Sequence, residues 1–498
     1  MKTLFALSVM LAFAAAAPGQ DRAAIPDRPE KLTFPPLRYE PPQAADYRVA
    51  LPSGAVAYVA PDRELPLVNI QIYVHTGTYV VPRGQEGLAD LTGWLMAHGG
   101  TASKTAEQLE ERLAFLAAKF DCSITEMSGS VTLNLLAKDL DEGLGILREA
   151  LTAPRFQEDK LKLHKEQMLQ AMHERNDESS AIEMRERNFL AFGDGFFLNR
   201  YSTGTSVSNL TVSQVREFQQ RWFYPSNFVI AVNGDFDRDR MIEKLNALLA
   251  NWPFKGETPP PVPTEFHGAS PGLYLVNKDV NQGRVAMILP GMQRDDRDYF
   301  PALLMNDILG GGGFTSRIMS RVRSDEGLAY SAGSAFPGGV YFPLTFRVGF
   351  QSKSRTVGYA ISIVEKEVRR ILDERVTEAE LHTAKRALID TFPRSFSTKT
   401  QVAQTLAEDE FTGRYAKNPT YWQTYRDNVD KVTREDIQRV AQRFLHPDQF
   451  AILVVGKKDD ILKGHPERPV DFSQLAAGGV KDLPLRDPMT MERMPAPR

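Results

Sequence analysis

Eight histidines, one cysteine and one run of four glycines are the first residues of this chain to test for chemistry. A zinc-binding helix carries two histidines a turn apart with a glutamate beside them, as H-x-x-E-H or H-E-x-x-H. None of His75, His98, His164, His173, His267, His382, His446 and His465 stands in either pattern. His164 and His173 are nine residues apart, which puts them on opposite faces if both are helical. Cys122 is alone, so no disulfide can form within the chain; it reads as a small buried hydrophobe. The glycine run, Gly310–Gly313, opens the stretch "GGGGFTSRIMSRVRSDEGLAYSAGSAF". It permits unusual backbone angles and close approach by another chain, and equally suits a flexible turn. No Gly-Lys-Ser/Thr follows it, so it is not a phosphate-binding P-loop.

A further feature is the stretch "GQEGLADLTGWLMAHGGT", Gly84 to Thr101. Leu88, Leu91 and Leu95 recur at helical spacing on one face. Asp90, Gly93 and Trp94 fall on the other, and a bare glycine beside a large indole is an odd polar face.

The elements that must position these residues follow from the bulk of the chain. Its 498 residues are 42% apolar, enough for two or more domain cores. A formal net charge of −3 with both signs interspersed argues against a nucleic-acid binder relying on bulk charge. The start, "MKTLFALSVMLAFAAAAPGQ", has a positive residue, an apolar run and then small residues. It reads as a secretory signal peptide, residues 1–19, cleaved between Ala16 and Gln20. The apolar run is shorter than the roughly 20 residues a membrane span needs, so no span is expected after cleavage. Export without disulfides suits a Gram-negative periplasm or the exterior.

Residues 20–45 and 255–268 are Pro-rich and read as an extended leader and a linker. The blocks they separate repeat each other. "TVSQVREFQQRWFYPSNFVIAVNGD" from Thr211 and "TREDIQRVAQRFLHPDQFAILVVGK" from Thr433 align without a gap, matching at Gln220/Gln442, Arg221/Arg443, Pro225/Pro447, Phe228/Phe450, Val232/Val454 and Gly234/Gly456. Each copy reads as a Thr-capped helix, a stop before Pro and a buried strand. "RVALPSGAVAYVA" and "LVNIQIYVHTG" read as strands, "TAEQLEERLAFLAAKF" and "GYAISIVEKEVRRILDER" as amphipathic helices, Ser316 to Arg323 as a helix capped by Gly327, and "LAYSAGSAF" as a strand. The expected fold is α+β: two homologous domains, 46–254 and 269–462, each a mostly antiparallel sheet packed with helices, followed by a tail, 463–498.

With the duplication in place, "LGGGGFTSRIMSRVRSDEGLAYS" resembles the second-domain signature of the insulinase/pitrilysin/mitochondrial-processing-peptidase family of inverted-motif zinc peptidases. The resemblance spans about Tyr47 to Lys458 and includes the first-domain order "TGT…G…GLA…GT". It implies a chain forming half of a clam-shell peptide chamber. In the family, H-x-x-E-H follows Gly-Leu-Ala, and a further Glu ligand comes from a later helix. Here Asp90 holds the first His position, Gly93 the Glu position and Trp94 the second His position, while the later Glu position falls at Ala171. No zinc or other cofactor is therefore expected in this chain. An Arg and a Tyr of the second domain grip the peptide in relatives, and those positions match Arg323 and Tyr330, next to the Gly310, Gly311, Gly312, Gly313 loop. Arg offers several donors to peptide carbonyls or a developing oxyanion, and Tyr a hydroxyl.

The resemblance implies a non-catalytic, substrate-binding subunit of a heterodimeric zinc metalloendopeptidase. Its partner would be an H-x-x-E-H-bearing paralogue supplying the zinc, and its ligand unfolded peptide. The alternative is a non-proteolytic scaffold of the same fold. Trp94 would then either fill space against the neighbouring domain or line a peptide channel.

Overall fold

A computed structural model describes residues 28, 31–32, 39–475 and 478–495. The expected signal peptide and most of the 20–45 leader lie outside the described residues. Contacts divide the chain into Met1–Tyr39 and Glu40–Arg498, and the second unit holds the whole fold described below.

Two six-stranded sheets organise that body. The first contains β1 (Arg48–Ala50), β2 (Val56–Pro61), β3 (Leu67–Val74), β4 (Lys119–Ile124), β5 (Gly129–Leu136) and β6 (Phe228–Gly234), in the order β1-β2-β6-β3-β5-β4. The second contains β7 (Gly272–Asn277), β8 (Gln282–Leu289), β10 (Ala329–Ala335), β12 (Phe346–Lys353), β13 (Ala451–Gly456) and β14 (Val480–Asp482), in the order β10-β12-β8-β13-β7-β14. The short β9 (Met292–Gln293) and β11 (Gly338–Gly339) pair with each other. Reversing the second order aligns β2, β6, β3, β5 and β4 with β7, β13, β8, β12 and β10. β6 and β13 then match: each pairs parallel to one neighbour and antiparallel to the next. The duplicated α+β fold expected from the aligned sequence blocks is thus present over five strands of each sheet; the sixth differs, since β1 pairs antiparallel to β2 and β14 parallel to β7.

The repeated blocks form as their chemistry dictates. Thr211 caps the Val212–Trp222 helix through a capping box with Gln214, and Thr433 caps Arg434–Phe444 through one with Asp436. Each helix stops before Pro225 or Pro447, and the apolar run that follows is fully buried. A continuous apolar strand needs cover on both faces. The second cover comes from the opposite half. The Lys399–Phe411 helix lies on β2 and β6, and the Ser179–Phe192 helix lies on β8 and β13. Phe192, Phe196, Phe266 and Phe342 interlock edge-to-face beneath the latter. At about 1.5–3 kcal/mol per fully buried large side chain, this shared cluster outweighs charged ties between the halves such as Arg48–Glu410.

Three expectations change. The helix read into "TAEQLEERLAFLAAKF" stops at Phe115, because Ala117 turns the chain at φ 49° and Lys119–Ile124 alternates exposed and buried as edge strand β4. The helix expected from Ser316 to Arg323 is a short α-turn, Arg317–Met319, widening into a π-turn, Ser320–Asp325. It still closes at Gly327: the Gly327 N–H donates to the Arg323 carbonyl and the Leu328 N–H to that of Val322. The segment read as a tail adds β14 beside β7.

Candidate functional site

In the first half the Leu88–His98 helix packs over the edge strand β4. Leu88, Leu91 and Leu95 enter the core. Gly93 does not share an open face with Asp90, as helical spacing suggested; it is pressed onto β4. A Cβ there would lie 3.0 Å from the Cys122 carbonyl oxygen and 3.1 Å from Ser123 Cα, so the helix reaches the strand only because the side chain is missing. Cys122 is buried beneath it, as its type suggested, and burial pushes its thiol up.

Trp94 stacks face to face on His164, with ring centroids 4.3 Å apart and planes 4° from parallel, and leans on His98 at 4.8 Å. It fills space within its own half, not against the neighbouring domain. His164 belongs to the Glu158–His173 helix, and its Nε2 sits 3.9 Å from the exposed Asp90 carboxylate, beyond hydrogen-bond reach. Ala171 follows on the same helix, exposed. Burial holds His98 below the ordinary imidazole value, with Asp121 and Glu110 opposing the shift.

The second half carries its features at the matching place, before its own edge strand. The Tyr299–Asn306 helix widens into a π-turn, Asp307–Gly311. The close approach that the glycines permit is taken up by the chain's own β10: a Cβ on Gly310 would lie 2.5 Å from the Ser334 nitrogen. Beyond the loop the Arg323 guanidinium lies between two rings, 4.7 Å from the centroid of Phe314 and 4.6 Å from that of Tyr330. The rings are 66% and 85% exposed, which is unusual for large aromatic side chains and leaves the stack facing solvent. The base of this segment is anchored. Arg317 is buried and donates through Nε and Nη2 to the two carboxylate oxygens of Glu380, at 2.7 and 3.0 Å. Burial raises Glu380, but Arg317 and the Thr377 backbone prevail and hold it at about 2.

Residues 58–193 match the family model described as insulinase (peptidase family M16), and residues 209–388 the one described as peptidase M16 inactive domain. The chain belongs to the insulinase family. It is similar to the non-peptidase homolog YmxG of Helicobacter pylori, 26% identical over 405 residues that cover 79% of this chain and 90% of the relative. A peptidase M16 inactive domain from Pseudomonas fluorescens superposes with a TM-score of 0.73 at 22% identity, covering 82% of this chain and 97% of that one. A protease from Helicobacter pylori superposes with a TM-score of 0.71 at 16% identity, covering 84% and 100%. At these identities the structural likeness shows the fold alone. Because proteins named protease and non-peptidase homolog both resemble this chain, activity has to be read from the site.

The zinc of insulinase-family peptidases does not fit the residues present here. Of Asp90, Gly93, Trp94 and Ala171 only one is a metal ligand, and zinc takes three or four. The indole covers the face, and the backbone of β4 closes the Gly93 position. Among the described residues, no three His, Cys, Asp or Glu side chains cluster as ligands would.

Arg323 and Tyr330, the two positions matched to the family signature, lie against each other. Sequence reasoning missed Phe314, the other ring of the stack. It named His164 but missed its stack on Trp94, although seven residues separate it from Ala171 and so place both on one helix face.

Proposed function

We propose that this chain is an exported, zinc-free insulinase-family protein that holds extended peptide and completes the chamber of a zinc-bearing paralogue. One observation carries the reading: the Arg323–Tyr330 pair is assembled and solvent-facing in a chain whose first-half metal positions hold a single carboxylate. A guanidinium fixed between two rings keeps its N–H groups pre-aimed, so little side-chain entropy is lost when peptide carbonyls accept from them. The zinc, the attacking water and its general base belong to the partner. The N-terminal sequence supports export to the periplasm or beyond.

The test is reconstitution with an H-x-x-E-H-bearing paralogue from the same organism. The two chains should co-elute on size exclusion, and peptide cleavage should rise at least about tenfold over the paralogue alone. Arg323→Ala should remove most of that gain, since one charge-assisted bond is worth about 1.5–3 kcal/mol. A mixture that cleaves no faster than the paralogue overturns the reading. The name of the relative YmxG, a non-peptidase homolog, is also compatible with a second reading, a peptide-binding scaffold with no protease partner. That reading requires peptide binding by the chain alone and no stimulation of any paralogue.

A further inference from the structure

A cleft of about 510 Å³ opens beside Tyr330, between the Ser179–Phe192 helix and the face of the second sheet turned toward it. That size is within the range of ligand pockets. Its floor follows from the strand register. Ala286 of β8 pairs with Gly349 of β12, which pairs with Gly333 of β10, so one row across three strands carries almost no side chain. Arg284 and Gln351 pair in the row on one side, and Arg347 stands in the row on the other. Such a row is a trough in which an extended chain can lie close to the sheet.

The charge along that trough is one-sided. Arg284, Arg347 and Arg187 line it, and Glu183 is its one carboxylate. Arg187 donates to Glu183 at 2.9 Å, and Arg284 Nε to the hydroxyl of Ser179 at 3.1 Å. Among the described residues the Arg347 guanidinium makes no hydrogen bond and no close ion pair, and Glu183 attracts it only at longer range. Burial holds Arg347 below its ordinary value, and neighbouring Arg187 adds to the shift. Three guanidinium groups against one carboxylate leave two positive charges in a partly desolvated cleft of a chain whose net charge is −3. Guanidinium pairs bidentately with carboxylates.

We propose that this cleft is a subsite for aspartate or glutamate side chains of an extended peptide, next to the segment held at Arg323 and Tyr330. This rests on the peptide-holding reading, and Tyr330, which belongs to both places, makes the two continuous.

The test uses this chain alone and two fluorescent synthetic peptides of equal length, both amidated at the C-terminus. One carries a block of Asp and Glu, the other Asn and Gln at the same positions. By anisotropy the acidic peptide should bind about tenfold more tightly, the worth of one charge-assisted hydrogen bond, and the difference should shrink with added salt. Arg347→Gln should abolish the preference. Arg284→Gln should reduce it, and Arg323→Ala should weaken both peptides alike. Equal affinity of the two peptides, or a preference that survives both glutamine variants, overturns the subsite and leaves the peptide-holding reading intact. Binding of neither peptide overturns both. A neutral peptide that binds tightly only with a free C-terminus makes the ligand a chain end and overturns the side-chain assignment.

Discussion

The two halves of this chain place the same kind of element at the same point of the same sheet and treat it in opposite ways. In the first half the helix before edge strand β4 is sealed: Gly93 lies against the strand and Trp94 is stacked on His164. In the second half the segment before edge strand β10 is open, with Arg323 held between two exposed rings and a basic cleft beside it. Where an insulinase-family peptidase would bind metal, this chain packs an indole; where the family grips peptide, this chain keeps its donors. One half of the duplication covers its face and the other leaves its face open.

The comparison breaks most readily at Gly93. Gly93→Glu should cost at least about 3 kcal/mol, because a side chain must displace the β4 backbone and a carboxylate is buried without a partner. Urea denaturation measures it, and a loss under about 1 kcal/mol would show that the face is not sealed. Next comes the anchor of the open half. Glu380→Gln should lose about 2 kcal/mol at neutral pH, a partly screened version of breaking a buried pair. Glu380 sits at about 2 in the folded chain, below its ordinary 4.5. Its contribution is therefore complete above about pH 4.5 and is lost as pH falls toward 2. The gap between wild type and variant should close over that window, and a gap constant down to pH 2 would deny Arg317 its role.

Trp94→Ala should cost about 1–2 kcal/mol, less than a fully buried tryptophan, since the indole is only partly buried. It should also free the His164 ring from its stack, visible as a change in that ring's NMR chemical shifts. The smallest effect belongs to the exposed stack. Phe314→Ala and Tyr330→Ala should leave stability within about 0.5 kcal/mol while lowering peptide affinity. A large stability loss would make the stack structural, and the contrast between the halves would vanish.

How much of this was legible in the sequence depended on whether the information was local. The aligned blocks at Thr211 and Thr433 gave the duplication, because capping residues, a proline stop and a buried strand are written in consecutive positions. The loss of metal ligands was legible for the same reason: Asp90, Gly93 and Trp94 occupy one turn. Helical spacing put those three on one face but could not say what the helix packs on, so the contact of Gly93 with β4 was missed. The end of the helix at Phe115 was missed because Ala117 adopts a positive φ without a glycine to signal it. Nothing in sequence joins Arg187, Arg284 and Arg347, which come from a helix and two strands of opposite halves. Their meeting depends on the helix of one half crossing onto the sheet of the other.

The central claim is tested most directly by the rate of peptide cleavage of a zinc-bearing paralogue mixed with variants of this chain from each half. Asp90→Ala, at the one first-half metal position that still holds a ligand type, should leave the stimulated rate within a factor of about two. Arg323→Ala should lower it about tenfold or more, the worth of at least one charge-assisted hydrogen bond. The reverse pattern, a rate that falls with Asp90→Ala and survives Arg323→Ala, would contradict the account.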